Sequence, residues 1–450
     1  MSSLFIPLLV VALGVASPDI QHQHGGPSGE RLGTVEFEIS CDPAVRPAFN
    51  RAVALLHSFW WRAAIEGFES VLQQDPACGI AYWGLALSHW GNPFAGVRPP
   101  EAIEPGARAI ARGLEVGART ERERAYLRAA AELYRDFRTT DQRTRTLAYE
   151  RAMARLVEAF PDDREATTFY ALAINQNALP TDKTYAKQLQ AAAILERLFR
   201  DQPDHPGLAH YIIHAYDHPP LAPKALEAAR RYAKIAPDAP HALHMPSHTF
   251  TRVGDWQASI ESNRASAEAA RRANSTGEVL HALDYQAYAY LQTAQDGAAR
   301  RVVEQMQAVV AAMAANDVYA SAGQFAQAAI PARYALERGA WREAAALAPI
   351  RTRVPWIAAV THFARAIGAA RSGNPSAARD DAAALAQLQQ ALVGKDDYWA
   401  EQVAIQHLVA SAWIAFADGR RDEAIAQLAA AADREDATDK SAISPGPLAP

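Results

Sequence analysis

A period of 34 residues is the feature that most restricts the fold of this 450-residue chain. In a frame that begins at Val45, small residues fall at positions 8 and 20 and a proline falls at position 32. Further frames of this kind begin at Gly79, Pro206 and Pro240. Small residues at these positions let two antiparallel helices touch, so the period predicts a stack of helix pairs.

Four later units keep the turn between the two helices of a pair. In each of them a glycine closes the first helix and a small residue follows, and these glycines are Gly297, Gly339, Gly373 and Gly419. Glycine is favoured there because the end of a helix needs a left-handed backbone conformation. Half of the residues are hydrophobic, but only 8% of the chain is aromatic. Much of the remaining hydrophobic content is alanine, the best helix former. The sequence therefore predicts an all-α fold, a right-handed tetratricopeptide repeat (TPR) solenoid in which antiparallel helix pairs form a superhelix.

The chain divides into six predicted segments. They are a signal peptide at 1–16, a flexible lead-in at 17–40, N-terminal TPR units at 41–91, divergent helical repeats with an insertion at 92–161, a TPR array at 162–440 and a tail at 441–450. The run from Phe5 to Ala16 is apolar and ends in small residues, as secretory signals do, although no lysine or arginine precedes it. We therefore expect a periplasmic or secreted protein, with an uncleaved apolar N-terminus as the alternative.

Charge and cysteine content limit the partners and the compartment. The formal net charge of −5 argues against binding to nucleic acid, and no segment after the signal is apolar enough to span a membrane. Cys41 and Cys78 each precede the first helix of neighbouring units, and equivalent helices of successive repeats run parallel. A Cys41–Cys78 disulfide is therefore predicted for an exported chain, with two free buried thiols as the alternative.

Eight of the 14 histidines lie between residues 205 and 281. His210 and His214 occupy positions 5 and 9 of one unit, and His244 and His248 occupy the same positions of the next. Two histidines four residues apart on a helix can reach one ion, so the four imidazoles predict a site for one or two ions of Zn, Cu or Fe. Two further candidate ligands are Asp217 and His281.

The histidines share one face of the first helix, opposite the face that carries the apolar positions. This pattern predicts that they line the concave groove of the superhelix, where a peptide or protein ligand would bind. Further candidate groove-lining residues are His57, Trp60, His89, His218, His241 and Asp284. The alternatives are packing for the N-terminal residues, a helix cap for His205, a loop position for His218 and a polar groove without metal for the histidines.

Pro246 falls at position 7 of a predicted first helix. Proline there removes a backbone hydrogen bond and predicts a kink that re-aims His241 and His244 relative to His248, unless the helix simply starts later.

Several motifs resemble a family of bacterial exported tetratricopeptide proteins. They are Leu56-His57-Ser58-Phe59-Trp60, Asp75-Pro76-Ala77-Cys78, Ala81-Tyr82-Trp83-Gly84, His210-Tyr211-Ile212-Ile213-His214-Ala215-Tyr216-Asp217, Met245-Pro246-Ser247-His248 and Pro445-Gly446-Pro447. The resemblance covers nearly all of the mature chain and implies the fold and export, but no reaction. Family members usually continue with another helix pair, whereas this chain stops at Pro450, so we expect an exposed apolar face on the Ala424–Ala432 helix.

Two functions follow from these patterns. The first is an exported TPR scaffold whose groove binds a peptide or protein and which also carries a histidine-rich metal site. The second is a metalloenzyme of the oxidase or hydrolase type, with Asp217 or Asp284 as a base. The sequence does not decide whether the protein is an enzyme.

Overall fold

The computed structural model describes residues 29–313, 321–438 and 443–444. In these residues the regular secondary structure consists of two short 3-10 helices and 21 α-helices. The α-helices are α1 Arg46–His57, α2 Trp61–Gln74, α3 Gly79–Trp90, α4 Pro100–Val116, α5 Glu121–Glu132, α6 Gln142–Ala159, α7 Arg164–Gln176, α8 Ala186–Asp201, α9 Pro206–Ala215, α10 Leu226–Ile235, α11 Pro240–His244, α12 Pro246–Val253, α13 Trp256–Arg272, α14 Thr276–Gln292, α15 Asp296–Ala311, α16 Ser321–Glu337, α17 Trp341–Ala345, α18 Pro355–Arg371, α19 Pro375–Leu392, α20 Asp397–Ala417 and α21 Arg421–Asp436.

The helices form a continuous stack of pairs. Each helix packs against the next helix in the chain. The first helices of successive pairs are also in contact, for example α1 with α3, α14 with α16 and α18 with α20. This arrangement confirms the predicted all-α solenoid of helix pairs. The pairs are tight because small residues stand at the contacts: a Cβ added to Gly84 of α3 would lie only 2.2 Å from the ring of Phe68 in α2.

The segment before α1 is part of the core, and the predicted flexible lead-in is wrong for residues 29–40. Leu32, Val35 and Phe37 are buried, and the ring of Phe37 lies 5.1–5.3 Å from those of Phe49, Trp83 and Tyr126. Apolar side chains without helical periodicity can still fill a gap between helices, which explains the error. The rest of the lead-in, at 17–28, and the predicted signal peptide lie outside the described residues.

Cys41 and Cys78 form a disulfide with an S–S distance of 2.05 Å. Cys78 caps the N-terminus of α3, and Cys41 lies just before α1. The disulfide therefore links two neighbouring helix pairs at the N-terminal ends of their first helices.

The loop between α3 and α4 joins distant parts of the stack. It lies within the predicted insertion and reaches the start of α20, where a Cβ added to Gly96 would be 2.8 Å from the carboxylate of Asp396. The superhelix therefore closes on itself, through residues 300 positions apart. The same loop carries Phe94 inward, against the histidine cluster.

The C-terminal helix pair is partly uncovered. In α21, Ala424 is buried whereas Ile425 is 66% exposed. Of the predicted tail only residues 443 and 444 are described, and Ser444 Oγ accepts a hydrogen bond of 2.6 Å from Arg333. Among the helices described, none combines the length and apolar character that a membrane crossing requires.

Candidate metal centre

Four helices carry the histidine cluster. His210 and His214 lie on α9, His241 and His244 on α11, His248 on α12 and His281 on α14. The predicted break at Pro246 is present, since α11 ends at His244 and α12 begins at Pro246. The first helix of this repeat is thereby divided into two short helices, with Met245 between them at φ −54° and ψ −34°.

The six histidines form two adjoining groups of three. We call His210, His214 and His241 the first triad, and His244, His248 and His281 the second triad. Within each triad, one ring nitrogen from every residue lies within 4.8 Å of the other two. The triads touch, because the ring centres of His214 and His248 are 6.3 Å apart and those of His241 and His244 are 5.9 Å apart.

The four histidines in equivalent repeat positions, for which the sequence predicts one or two ions, are therefore divided between two groups. The ring of His241 turns to His210, at 5.0 Å, and that of His244 turns to His281, at 4.4 Å. Each triad thus keeps the pair at positions 5 and 9 of one repeat, and His241, at position 2, completes the first triad. His281, predicted as an additional ligand, completes the second triad.

The histidine face is buried and does not line an open groove as predicted. The exposed fraction is 0% for His210 and His244, and at most 8% for His214, His248 and His281. The ring centre of Phe59, just after α1, lies 4.3 Å from that of His210 in an edge-to-face arrangement, and Phe94 stacks on His214 at 4.4 Å. Aromatic rings from the N-terminal repeats thus cover the helix face that carries the histidines.

Three of the rings are oriented by an acceptor at Nδ1. Nδ1 of His210 lies 2.6 Å from the backbone carbonyl oxygen of His57, Nδ1 of His244 lies 2.6 Å from Oδ1 of Asn263, and Nδ1 of His248 lies 2.8 Å from Oδ2 of Asp217. The Asn263 amide is itself fixed, because its Nδ2 donates to the carbonyl oxygen of Ser259 at 2.8 Å. Each Nδ1 must therefore donate, which leaves a lone pair on Nε2 of the neutral ring.

Two of these lone pairs face each other. Nε2 of His244 lies 3.0 Å from Nε2 of His248. With both Nδ1 atoms donating elsewhere, neither Nε2 of a neutral pair has a proton to give. A contact at this distance is repulsive unless a cation lies between the rings.

Several other ring nitrogens have no hydrogen-bond partner among the described residues. They are Nε2 of His210, Nε2 of His214, both nitrogens of His241 and Nδ1 of His281. Such unpaired buried polar atoms are rare and call for an explanation. Burial lowers the pKa of His210, His214 and His244 well below the usual value, and it lowers the pKa of His281 to about 3. These rings are therefore neutral, the form that binds metal.

The carboxylates around the triads have partners of their own. Asp217 was predicted as a ligand, but its Oδ2 accepts from His248 and its Oδ1 accepts from Arg252 Nε at 3.0 Å. Burial raises the pKa of Asp217, yet Arg252 and His248 outweigh it and hold the pKa well below its ordinary value. Asp217 therefore orients His248 as an anion, in the way that carboxylates hold metal-binding histidines.

Glu278, and not Asp284, is the carboxylate that approaches a triad histidine. Asp284 does not line a groove, because it is fully buried and pairs with Arg333 at 3.1 Å. Glu278, which the sequence analysis did not single out, has Oε2 3.6 Å from Nδ1 of His241. It lies one helical turn before His281, and this spacing on a predicted helix was the signal available.

A third histidine group is closed by hydrogen bonds. Glu165 on α7 joins His57 and His205, with Nε2 of each ring 2.9 Å from a carboxylate oxygen. The remaining nitrogens are also used, since Nδ1 of His57 meets the Tyr211 hydroxyl at 2.9 Å and Nδ1 of His205 accepts from the Leu208 backbone at 3.3 Å. His57 is thus a buried structural residue and not a groove residue, and the predicted cap role of His205 is present.

The other predicted groove residues lie apart from the triads. Trp60 is the partly exposed residue before α2, and His89 is half-buried on α3. His218, in the loop after α9, lines a cavity beside His214. Of the predicted groove set, only His241 enters a triad.

Comparison with solved structures finds several remote likenesses. Human IFIT1, solved as a dimer with PPP-AAAA, is 12% identical over 88% of this chain and 96% of its own, with a TM-score of 0.41. The apo form of RapI is 9% identical over 78% of this chain and 99% of its own, with a TM-score of 0.43. The Cut9–Hcn1 complex gives 12% identity, coverages of 88% and 78%, and a TM-score of 0.36. Likeness at this level says nothing about what the chain binds.

No protein-family model matches the sequence, and no curated protein sequence matches it.

Proposed function

We propose that the protein binds two transition-metal ions, one in each histidine triad, within a scaffold of TPR-like helix pairs. The single observation that carries this proposal is the contact of 3.0 Å between Nε2 of His244 and Nε2 of His248, whose Nδ1 atoms are both held by acceptors. A metal ion turns this repulsive contact into two bonds. A shared proton is the competing explanation, and burial opposes its residence on His244 by lowering the pKa of that ring.

The donor set favours a particular class of ion. Three neutral imidazoles suit Zn, Cu or Fe, and three protein ligands leave a coordination position open. An ion so held can polarise a carbonyl or lower the pKa of a bound water. His210, His214 and His241 would hold one ion, and His244, His248 and His281 the other, with Asp217 and Asn263 fixing ring orientation.

Binding of a peptide or protein in the concave groove is the first function that the sequence predicts. Its support at the cluster is weaker, because the histidine face is covered by Phe59 and Phe94. Binding of a peptide or protein elsewhere along the helix array stays a prediction.

We also propose that the chain is exported to the periplasm or secreted. The apolar run from Phe5 to Ala16 supports this location, and so does the Cys41–Cys78 disulfide, since disulfides persist mainly in oxidising compartments.

Metal analysis of the full chain tests the metal proposal. The purified protein is treated with a chelator and dialysed, loaded with Zn²⁺, Cu²⁺ or Fe²⁺ in turn, and analysed by inductively coupled plasma mass spectrometry. We expect two ions per chain for at least one metal. His214→Gln and His248→Gln should each remove one ion, whereas His407→Gln, on α20 and outside both triads, should remove none.

Two results would overturn the proposal. One is wild-type protein that holds no stoichiometric metal under any of these conditions. The other is unchanged metal content in both triad variants while circular dichroism shows that they are folded.

A further inference from the structure

A cavity of about 340 Å³ lies beside the first triad. His214 forms part of its inner wall, and the exposed residues Val97 and Leu179 lie at its outer rim. The α3–α4 loop and the start of α20, which meet at Gly96 and Asp396, both contribute to its wall, through Phe94 and Trp399. Pockets of this size take small molecules.

Carboxamide side chains dominate the polar part of the wall. Five of them line the cavity: Gln142, Asn175, Gln176, Asn177 and Gln188. Two are used by the scaffold. Asn177 bonds to Thr146, and Gln142 Oε1 accepts from the Arg98 backbone at 3.0 Å.

The other three have unused polar atoms. Among the described residues, Nδ2 of Asn175, Nε2 of Gln176 and Oε1 of Gln188 have no hydrogen-bond partner. Asn175 is only 6% exposed and Gln188 only 2%, so water from the bulk does not account for them. Two donors and one acceptor are thus unpaired in side chains that line this cavity.

Charged groups also lie on the wall of the cavity. Asp217 is paired with His248 and Arg252, whereas Asp396 accepts from the Trp399 backbone at 3.3 Å and Arg143 lines the cavity from an exposed position. The unused atoms belong to neutral carboxamides, so the part of a ligand that meets them is best matched by a neutral group with a donor and an acceptor.

We propose that this cavity binds a small neutral amide, whose carbonyl oxygen accepts from Asn175 and Gln176 and whose N–H donates to Gln188. Phe94 and Trp399 provide apolar surfaces for the rest of the ligand. An amide presents a donor and an acceptor side by side, which matches the unused atoms. Contact between this ligand and an ion on His214 rests on the proposed function, whereas amide binding itself does not.

Calorimetric titration with N-acetyl-phenylalaninamide tests the inference on the full chain, both metal-free and zinc-loaded. We expect saturable binding of one molecule per chain, weakened at least tenfold by Gln188→Leu. Gln406→Leu is the matched control, because Gln406 is also buried with an unpartnered Oε1 but lies on α20 and does not line the cavity. Both variants should fold, since each replaces an unsatisfied carbonyl by an apolar group of similar size.

Three results would overturn the inference: no amide binding in either form, equal binding by wild type and Gln188→Leu, or binding of glucose in place of the amide. The two proposals fail separately. Amide binding by a chain that takes up no metal overturns the metal centre alone, and metal uptake without amide binding overturns the cavity ligand alone.

Discussion

Phe37 offers the sharpest test of how the N-terminal segment contributes to the fold. Its side chain is 1% exposed, and its ring packs against the rings of Phe49, Trp83 and Tyr126 at 5.1–5.3 Å. The Arg122 guanidinium lies 4.8 Å from the ring centre. Phe37→Ala would therefore leave a cavity between α1, α3 and α5.

The expected cost follows from this environment. Removal of a buried phenylalanine side chain lowers the free energy of unfolding by about 3–5 kcal/mol. Three aromatic contacts and a cation–π contact each add to the burial term, so we expect a value near the upper end, about 4–5 kcal/mol.

Urea unfolding followed by circular dichroism measures this cost. Phe416→Ala is the matched control, because Phe416 is 48% exposed on α20 and its loss should cost less than about 1 kcal/mol. Equal losses in the two variants would refute the argument, and residues 29–40 would then contribute no more to stability than an exposed helix position.

Four further outcomes are expected. Reduction of the Cys41–Cys78 disulfide should lower the free energy of unfolding by about 4 kcal/mol, from the entropy of a loop with a sequence separation of 37, and dithiothreitol should not affect a Cys41→Ala/Cys78→Ala variant. Asp217→Asn should weaken metal binding about 10–100-fold in competition with a chromophoric chelator, because it loosens His248, and an unchanged affinity would contradict that role. Metal at 100 times its dissociation constant should stabilise the fold by about 2.7 kcal/mol for each ion, and so by about 5.4 kcal/mol for two, which the melting temperature with and without a chelator would reveal. Burial, only partly offset by Arg333, raises the pKa of Asp284 above 3.8, so the stabilisation from this group is complete below that pH and lost as the pH rises through the folded-state pKa. Urea unfolding between pH 4 and pH 6 should show this fall in wild type, and Asp284→Asn should show less of it.

The 34-residue repeat predicts well those features that depend on the position of a residue within its unit. The helix pairs, the break at Pro246 and the approach of Cys41 to Cys78 follow from the positions of small residues, proline and cysteine along each unit. The frame also brings the six triad histidines to neighbouring helices, because positions 5 and 9 recur on the same face.

Contacts between distant repeats could not be predicted in this way. The phenylalanine that covers His214 belongs to a loop 120 residues earlier, Phe94, and nothing local indicates where that loop reaches. Likewise, Asn263 and Glu165 gain their roles only from the tertiary neighbours that they meet, His244 in one case and His57 and His205 in the other. A helical period defines faces, but it does not say what lies against them.

Closure of the superhelix changes how this chain should unfold. In an open solenoid each repeat senses only its neighbours, so the ends fray and units melt one by one. Here Gly96 and Asp396 hold repeats from opposite ends of the array together. Terminal repeats are therefore no longer independent of the middle, and we expect hydrogen exchange in α3 and α20 to report one shared opening event. The same tie restricts evolution, because inserting or deleting a whole repeat would move one end away from the other and destroy the cavity between them.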